Sequence, residues 1–597
     1  MLTIPALFLD RANRDPQSIL AWAPTPDPED QFFLEHELHA DSDPEGWTAA
    51  TYAQTHQHVA GLAKRLASLG VRQGMPVAIW AATSARWSSI DLALQCLGAI
   101  TVGIYPTLLD DQVAYQLEHS EATMLLVDDD DKARRGLSLQ DNLSHLVHIF
   151  SLNIGALVPQ ISPARPDLEW LDEQASQVSV EHVSTYIYTS GTTGHPKAVV
   201  LTHHNFTSII ESTRSRLPLY DGERSVVFLP LAHVLQRFTQ YRGFADRAEG
   251  WFAPSIDALP DTLQVARPHV MASVPRMLEK IRAKIEAQAD AKGAQARSIL
   301  DWAISVGRTV NDMRWRDHPV GIRLKLQHKL AERLVFSKIK QGLGGSLRLL
   351  ISGGAALDPD LATWFEAIGI AVREGWGLSE TTAPATLNGE RDFRFGTIGK
   401  PLDGTEISIA SDGEILVRGP GVFQGYLKDD EATAQAFTPE GFFKTGDLGA
   451  MDEGFVRIIG RKKEIIVTAG GKNIAPVPIE HAIEGGIIGQ AVVIGDERPF
   501  LVALVALEPE ALANRAKEHG WTGSPDQWIS QDEIKSEVDQ QVVTAMDRFA
   551  QFEAVKKWVI LPRPLTEENG MLTPTMKLKR QQIQKHFKTE INTLYDT

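Results

Sequence analysis

Between Tyr188 and Lys197 the chain reads Tyr-Thr-Ser-Gly-Thr-Thr-Gly-His-Pro-Lys. These are groups able to hold an anion. Gly191 and Gly194 let backbone N–H groups approach it closely. The hydroxyls of Thr189, Ser190, Thr192 and Thr193 and the ammonium of Lys197 add further donors. A polyphosphate is the guest this chemistry suits. The Walker loop G-x-x-x-x-G-K-[ST] does not fit, because the two glycines are too close and Pro196 precedes the lysine. Taken alone, the same residues also read as an ordinary Ser/Thr/Gly turn.

The loop needs elements to hold it. Ser184–Tyr188 before it and Ala198–Leu201 after it are β-rich, so it joins two buried strands. Upstream, helical spacing over Tyr52–Leu69, Trp87–Leu97 and Asp110–Glu118 alternates with apolar strands at Pro76–Ala81, Ile100–Tyr105 and Met124–Val127. That alternation predicts a parallel sheet with helices on both faces. The acidic run Asp128–Asp131 reads as a solvated loop. Downstream, helix Phe206–Leu217 and strands Ser225–Leu229, Leu347–Ile351 and Ala371–Glu374 continue the pattern. Residues 276 to 342 form a charged, helix-rich insertion. Short strands with Gly and Pro turns over 396 to 425 predict a small β-barrel or sheet. Three consecutive cations at Arg461, Lys462 and Lys463 mark a composition shift. The expectation is therefore a large α/β domain over residues 1–460 and a small α+β domain over 461–597. The large domain would hold two layered α/β subdomains and a β-barrel-like one, and the small domain would move against it.

The 597 residues are too many for a single core, and 43% hydrophobic with 23% charged residues is a soluble globular composition. A net charge of −17 argues against nucleic acid as a partner. Cys96, in an apolar stretch, is the lone cysteine, which excludes an internal disulfide and fits a buried thiol in a reducing compartment. No Cys/His cluster has zinc spacing. The first eleven residues lack a signal-peptide pattern. The apolar run Ile90–Tyr105 is broken by Asp91, Gln95 and two glycines. A cytoplasmic location follows as the expectation, with peripheral contact to a membrane surface left open. Oligomeric state is not legible.

Further along lie other residues able to do chemistry. His233 sits in a strand-to-helix turn, where a histidine is more often structural than catalytic. Ser352-Gly353-Gly354-Ala355 follows a strand and leads to Asp358-Pro359, an N-cap with proline at the first helical position. Glu380 and Asp447 are acids beside glycine turns. Lys577 and Lys579 begin a basic helix near the end, which by itself reads as surface.

The order of these motifs resembles that of the adenylate-forming superfamily, which includes acyl-CoA synthetases. The ten residues from Tyr188 to Lys197 match its phosphate loop throughout. The resemblance implies that Thr189, Ser190, Gly191, Thr192, Thr193, Gly194 and Lys197 hold the ATP β- and γ-phosphates. It places Gly353, Gly354 and Ala355 against adenine, and Trp376 with Gly377 beside the purine, whose face suits an aromatic ring. Trp376 and Ser379 stand where the family has Tyr and Thr, and Trp lacks the hydroxyl. Glu380 would hold Mg²⁺. Asp447 would accept the ribose hydroxyls, Arg461 would bind ribose or phosphate, and His233 would wall the acyl pocket. Lys463 would be the interdomain hinge. Lys577 would be the catalytic lysine, with Lys579 the alternative register. Ser273-Val274-Pro275-Arg276 followed by the insertion resembles the long-chain fatty acyl-CoA synthetase branch, and a solvated appendage without substrate role is the competing reading. The implied reaction activates a fatty acid with ATP and transfers the acyl group to CoA. Loading of a separate carrier protein, luciferase-type oxidation and a non-catalytic acyl or nucleotide sensor are the alternatives.

Overall fold

The computed structural model describes residues 2–25, 44–189, 195–573 and 577–596. Two large sheets share one layer of helices. In the first, the strands His148–Ser151, Met124–Val127, Pro76–Trp80, Ile100–Ile104 and Val183–Thr189 run parallel in that spatial order. Lys197–Thr202 pairs antiparallel with Val183–Thr189, and Gly425–Tyr426 closes the edge. In the second, Ala371–Trp376, Leu349–Ser352, Val270–Ser273, Arg224–Val227, Glu249–Phe252 and Ile19–Pro24 are parallel. Short antiparallel strands flank them on both sides.

The helices His203–Arg216 and Val234–Asp246 lie between the sheets. Phe206, Ile209, Phe238 and Tyr241 on them share one core with Val77 and Ile79 of the first sheet and Val227 and Leu349 of the second. Helices packed on both faces account for the continuous apolar strands of the sequence. Cys96 is fully buried in this core.

The acidic run read as a loop is instead a helix start. Asp129 caps the helix Asp130–Gln140 by accepting from the Lys132 N–H at 2.7 Å. Asp130 and Asp131 occupy its first turn, where carboxylates suit the helix dipole. Few apolar residues mark that helix, so its charge pattern resembled a loop.

The strands Glu406–Ile409, Glu414–Arg418, Phe443–Asp452 and Phe455–Arg461 form a four-stranded antiparallel sheet. The C-terminal domain is built on Ile488–Ile494, Leu501–Leu507 and Val555–Ile560. All seven residues of Leu501–Leu507 are buried because the helices Pro476–Ile483 and Asp532–Met546 cover one face and Arg580–His586 and Lys588–Asp596 the other.

The insertion is not a detached appendage. Its helix Ala294–Trp315 buries Leu300, Ala303, Ile304 and Val306 in the core of the second sheet. A Cβ at Gly307 would lie 2.3 Å from the Ala367 carbonyl oxygen, so only glycine permits this approach. Among the described residues no helix is long and apolar enough to cross a membrane.

Candidate active site

Thr189, the Gly353-Gly354 turn and Trp376 stand at or just beyond the carboxyl ends of parallel strands, as expected for an open α/β sheet. Residues 190–194 of the phosphate loop lie outside the described residues. Its flanks are paired: Thr189 stands opposite Lys197, and its hydroxyl lies 3.4 Å from the Lys197 carbonyl oxygen. His195 stacks on Tyr115 with ring centroids 4.5 Å apart. The loop thus leaves and re-enters a hairpin whose two ends are fixed.

Lys197 reaches across to the short strand Gly425–Tyr426. Its Nζ lies 4.8 Å above the Tyr426 ring and 3.7 Å from an Asp429 carboxylate oxygen. The Tyr426 hydroxyl donates to Glu380 Oε1 at 2.9 Å. Glu380 is buried in the 3₁₀ turn Ser379–Thr381. Burial pushes its pKa above the ordinary carboxylate value, and the nearby positive charges of Arg461 and Lys577 oppose that rise. Tyr426 and Asp429 carry no pattern that sequence reasoning could have used, because contact with Lys197 arises only when the Gly425–Tyr426 strand joins the first sheet.

Asp447 and Arg461 face each other because the hairpin register pairs them. Arg461 Nε lies 2.8 Å from Asp447 Oδ1, and the indole N–H of Trp376 donates to Oδ2 at 2.9 Å. Trp376 therefore brings its own donor where the tyrosine hydroxyl is missing. Its ring is 8% exposed and packs with Ile398, Ile415 and Val417. Thr445 Oγ1 also accepts from the Asp447 N–H at 3.1 Å, which fixes the acid's backbone.

The C-terminal domain delivers Lys577 to this cluster. Its backbone is anchored to Thr573, the N–H donating to Thr573 Oγ1 at 3.1 Å and the carbonyl accepting from the Thr573 N–H at 2.8 Å. The Lys577 side chain is exposed. The surrounding protein lowers the ammonium pKa, and Arg461 lowers it further, while Asp447, Glu464 and Glu380 pull it back. Lys579 instead occupies the N-cap position of the helix Arg580–His586. The structure brings Lys577 to the acids and leaves Lys579 on the helix.

His233 caps the helix Val234–Asp246, its Nδ1 accepting from the Leu235 N–H at 3.2 Å. Burial and then the Lys577 charge lower its pKa to about 4. The imidazole is neutral near pH 7, and with Nδ1 as acceptor its proton resides on Nε2. His233 also lines a pocket of about 1200 Å³, open mouth included. This pocket runs between the helix Val234–Asp246 and the parallel strands of the second sheet, past Phe238 and Gly243 to Glu249. Gly353, Gly354 and Gly377 line its mouth. Gly354 needs its φ of +85°, whereas a Cβ at Gly353 would meet nothing closer than 3.5 Å. Ala355 is exposed in the same turn, which ends at Asp358, whose carboxylate caps the helix Pro359–Ala367 as expected. Gly377 is the tightest position: a Cβ there would lie 1.7 Å from the Ala383 carbonyl oxygen.

Lys463 lies in an exposed turn between the strands Phe455–Arg461 and Ile466–Val467, where Glu464 and Ile465 N–H groups both donate to the Arg461 carbonyl. Arg276, read from sequence as the start of the insertion, bridges the two domains. It donates to the Gly489 carbonyl oxygen at 2.5 Å and lies 3.4 Å from Glu508. Thr107 donates to Glu567 at 2.6 Å across the same divide. Contacts across so large a sequence separation leave no local signal.

A cluster of acids and cations that includes a lysine from a second domain fits the adenylate-forming class. The chain belongs to the AMP-binding enzyme family, whose model matches residues 27–427, with the family's C-terminal domain matching residues 463–597. It is 38% identical to the long-chain-fatty-acid–CoA ligase FadD15 of Mycobacterium bovis, over 92% of this chain and 93% of that one. It is 30% identical to the long-chain-fatty-acid–CoA ligase ACSBG2 of Xenopus laevis, over 92% and 80%. Among solved structures it resembles the adenylation domain of a carboxylate reductase from Mycobacterium chelonae, with a TM-score of 0.77 at 18% identity, covering 100% of this chain and 91% of that one.

Proposed function

We propose that this chain is a long-chain fatty acid–CoA ligase that works through an acyl-adenylate. The observation that carries the reading is that Lys577 lies within electrostatic reach of Glu380, Asp447 and Arg461 and of His233, which lines an apolar pocket. A carboxylate does not react with a thiol directly because oxide is too poor a leaving group. In the first step a carboxylate oxygen attacks the ATP α-phosphorus and pyrophosphate leaves. In the second the CoA thiol attacks the acyl carbon, loses its proton, and AMP departs with the carboxylate oxygen.

The chain's own residues hold the reactants and offset charge. The Nε2–H of His233 is a donor for the acid's carboxylate, and the lower pocket takes the alkyl chain. Asp447 receives the ribose hydroxyls while Trp376 and Arg461 keep its oxygens in place. Gly353, Gly354, Ala355 and Gly377 leave the room that adenine needs. Lys577 sets its ammonium against the α-phosphate, and the phosphate's negative charge restores the proton affinity that the cleft lowers. Thr189 and Lys197, as the two ends of the loop carrying Ser190, Gly191, Thr192, Thr193 and Gly194, guide the pyrophosphate. Glu380 fits Mg²⁺, which takes one or two carboxylates and completes its shell with phosphate oxygens and water. Bound there, Mg²⁺ would neutralise phosphate charge.

We set the boundary between the domains at residues 460 and 461, at the last residue of the strand Phe455–Arg461. A turn about Lys463 withdraws Lys577 after adenylation and admits the thiol. Two half-reactions test the scheme. Lys577→Ala should abolish pyrophosphate release from ATP and acid yet still form thioester from supplied acyl-adenylate and CoA. Equal loss of both half-reactions would refute the role of Lys577. Pyrophosphate release without CoA-thioester product in the wild-type protein would refute transfer to CoA.

A further inference from the structure

The insertion lines no part of the acyl pocket among the described residues, yet it holds an apolar surface that the fold does not cover. In the helix Ile322–Ala331, Ile322 is 77% exposed, Leu326 65% and Leu330 49%. Leu334, in the π-helical turn Glu332–Phe336 that continues it, is 42% exposed. Each follows the last by one helical turn, so the four make one outward stripe. The opposite side is apolar too: Ala331 and Phe336 are buried, and Leu324, Val335 and Ile339 pack on the second-sheet core. A helix apolar on both sides is expected to be covered on both.

The charges around the stripe indicate the cover. From Gly321 to Lys340 the chain carries Arg323, Lys325, Lys329, Arg333, Lys338 and Lys340 against a single acid, Glu332, in a protein of net charge −17. That acid is paired to Lys340 at 2.6 Å. Lys325 and Lys329 immediately border Leu326 and Leu330. A second copy of this chain is a poor occupant, because an isologous contact sets these cations against themselves. An apolar stripe bordered by cations matches the boundary between headgroups and acyl chains of an anionic bilayer.

We infer that the outer face of the Ile322–Leu334 helix docks the protein on an anionic membrane surface. Its leucines enter the acyl boundary and Lys325, Lys329 and Arg333 meet lipid phosphates. This places a fatty-acid-using enzyme against the phase in which such acids dissolve, and to that extent it rests on the ligase reading. The binding test does not.

The full chain is sedimented with phosphatidylcholine vesicles, with and without phosphatidylglycerol. Binding is expected to vesicles containing phosphatidylglycerol and to weaken as salt is raised. Lys325→Gln with Lys329→Gln should lower vesicle affinity on the order of 25-fold, at about fivefold for each cation lost. Leu326→Ser with Leu330→Ser should lower it on the order of 100-fold. Both variants should keep the wild-type melting temperature and the wild-type rate with octanoate, an acid soluble without a membrane. Three results would overturn the inference. They are absence of binding to phosphatidylglycerol vesicles, binding by both variants equal to wild type, and a dimer or protein complex in solution that the leucine variant dissociates. Absence of CoA ligation with both octanoate and hexadecanoate in the wild-type protein would refute the ligase reading and leave the vesicle result standing.

Discussion

Gly243 offers a gauge of acyl length. It lies in the helix Val234–Asp246 and lines the pocket, and a Cβ built there meets nothing within 4 Å. Glycine costs about 1 kcal/mol relative to alanine inside a helix, and no neighbour demands it here. What it supplies is bore. Gly243 lies ten residues beyond His233, or about 15 Å along the helix at 1.5 Å per residue. An extended chain advances roughly 1.2 Å per bond, from the span of an extended backbone with three bonds per residue. An acid held at His233 therefore reaches Gly243 with about twelve carbons. Leucine at this position should close the bore there. Each methylene denied burial forfeits about 0.8 kcal/mol, so hexadecanoate, with about four carbons beyond the block, should lose about 3 kcal/mol, on the order of 100-fold in kcat/KM. Octanoate should be unaffected, and the melting temperature should not fall, since leucine is the better helix former. The assay is CoA ligation across octanoate, dodecanoate and hexadecanoate for Gly243→Leu and the wild-type protein. A uniform loss at all three lengths, or none at hexadecanoate, would refute the reasoning.

Three other outcomes follow from the geometry. Trp376→Phe removes the indole N–H from Asp447 Oδ2, a bond to a charged group worth about 1.5–3 kcal/mol. It should raise the KM for ATP and lower the melting temperature, and unchanged values of both would contradict a structural and ribose-orienting role. Gly377→Ala places a methyl 1.7 Å from a backbone oxygen, so the turn must rebuild at a cost of about 3 kcal/mol or more. Wild-type stability and turnover in that variant would count against the turn as described. Glu374 is pushed up to about 8 by burial, opposed only by the Leu357 N–H bond. The folded chain then holds a proton that the unfolded chain releases above its value near 4.5. Stability from this group is present below that value and is lost as pH rises toward 8, at up to about 1.4 kcal/mol per pH unit. Glu374→Gln should flatten that decline in urea unfolding curves taken between pH 5 and pH 8, and an unchanged slope would exclude the group as its source.

What was legible in the sequence was chemistry held in short contiguous runs. The Asp358 cap after the Gly353-Gly354 turn and the run of cations from Arg461 are local, and apolar periodicity marked the strands on either side of the phosphate loop. Helix and strand signals depend on neighbours a few residues away, so one chain suffices to read them. The helix Asp130–Gln140 escaped because its apolar face is thin and its acidic cap resembles a loop. Tertiary structure alone decided the rest. It brought Lys577 within electrostatic reach of Glu380 and Asp447, and it made Trp376 a donor to Asp447. It joined Lys197 to Tyr426 and Glu380, and Arg276 to Gly489. It also separated the inner face of the insertion from the uncovered Ile322–Leu334 stripe, two apolar patterns on one helix that hydropathy sees alike. Each is a contact between residues far apart in sequence, fixed by strand register and domain packing. Linear spacing carries no record of the distance across such a cleft.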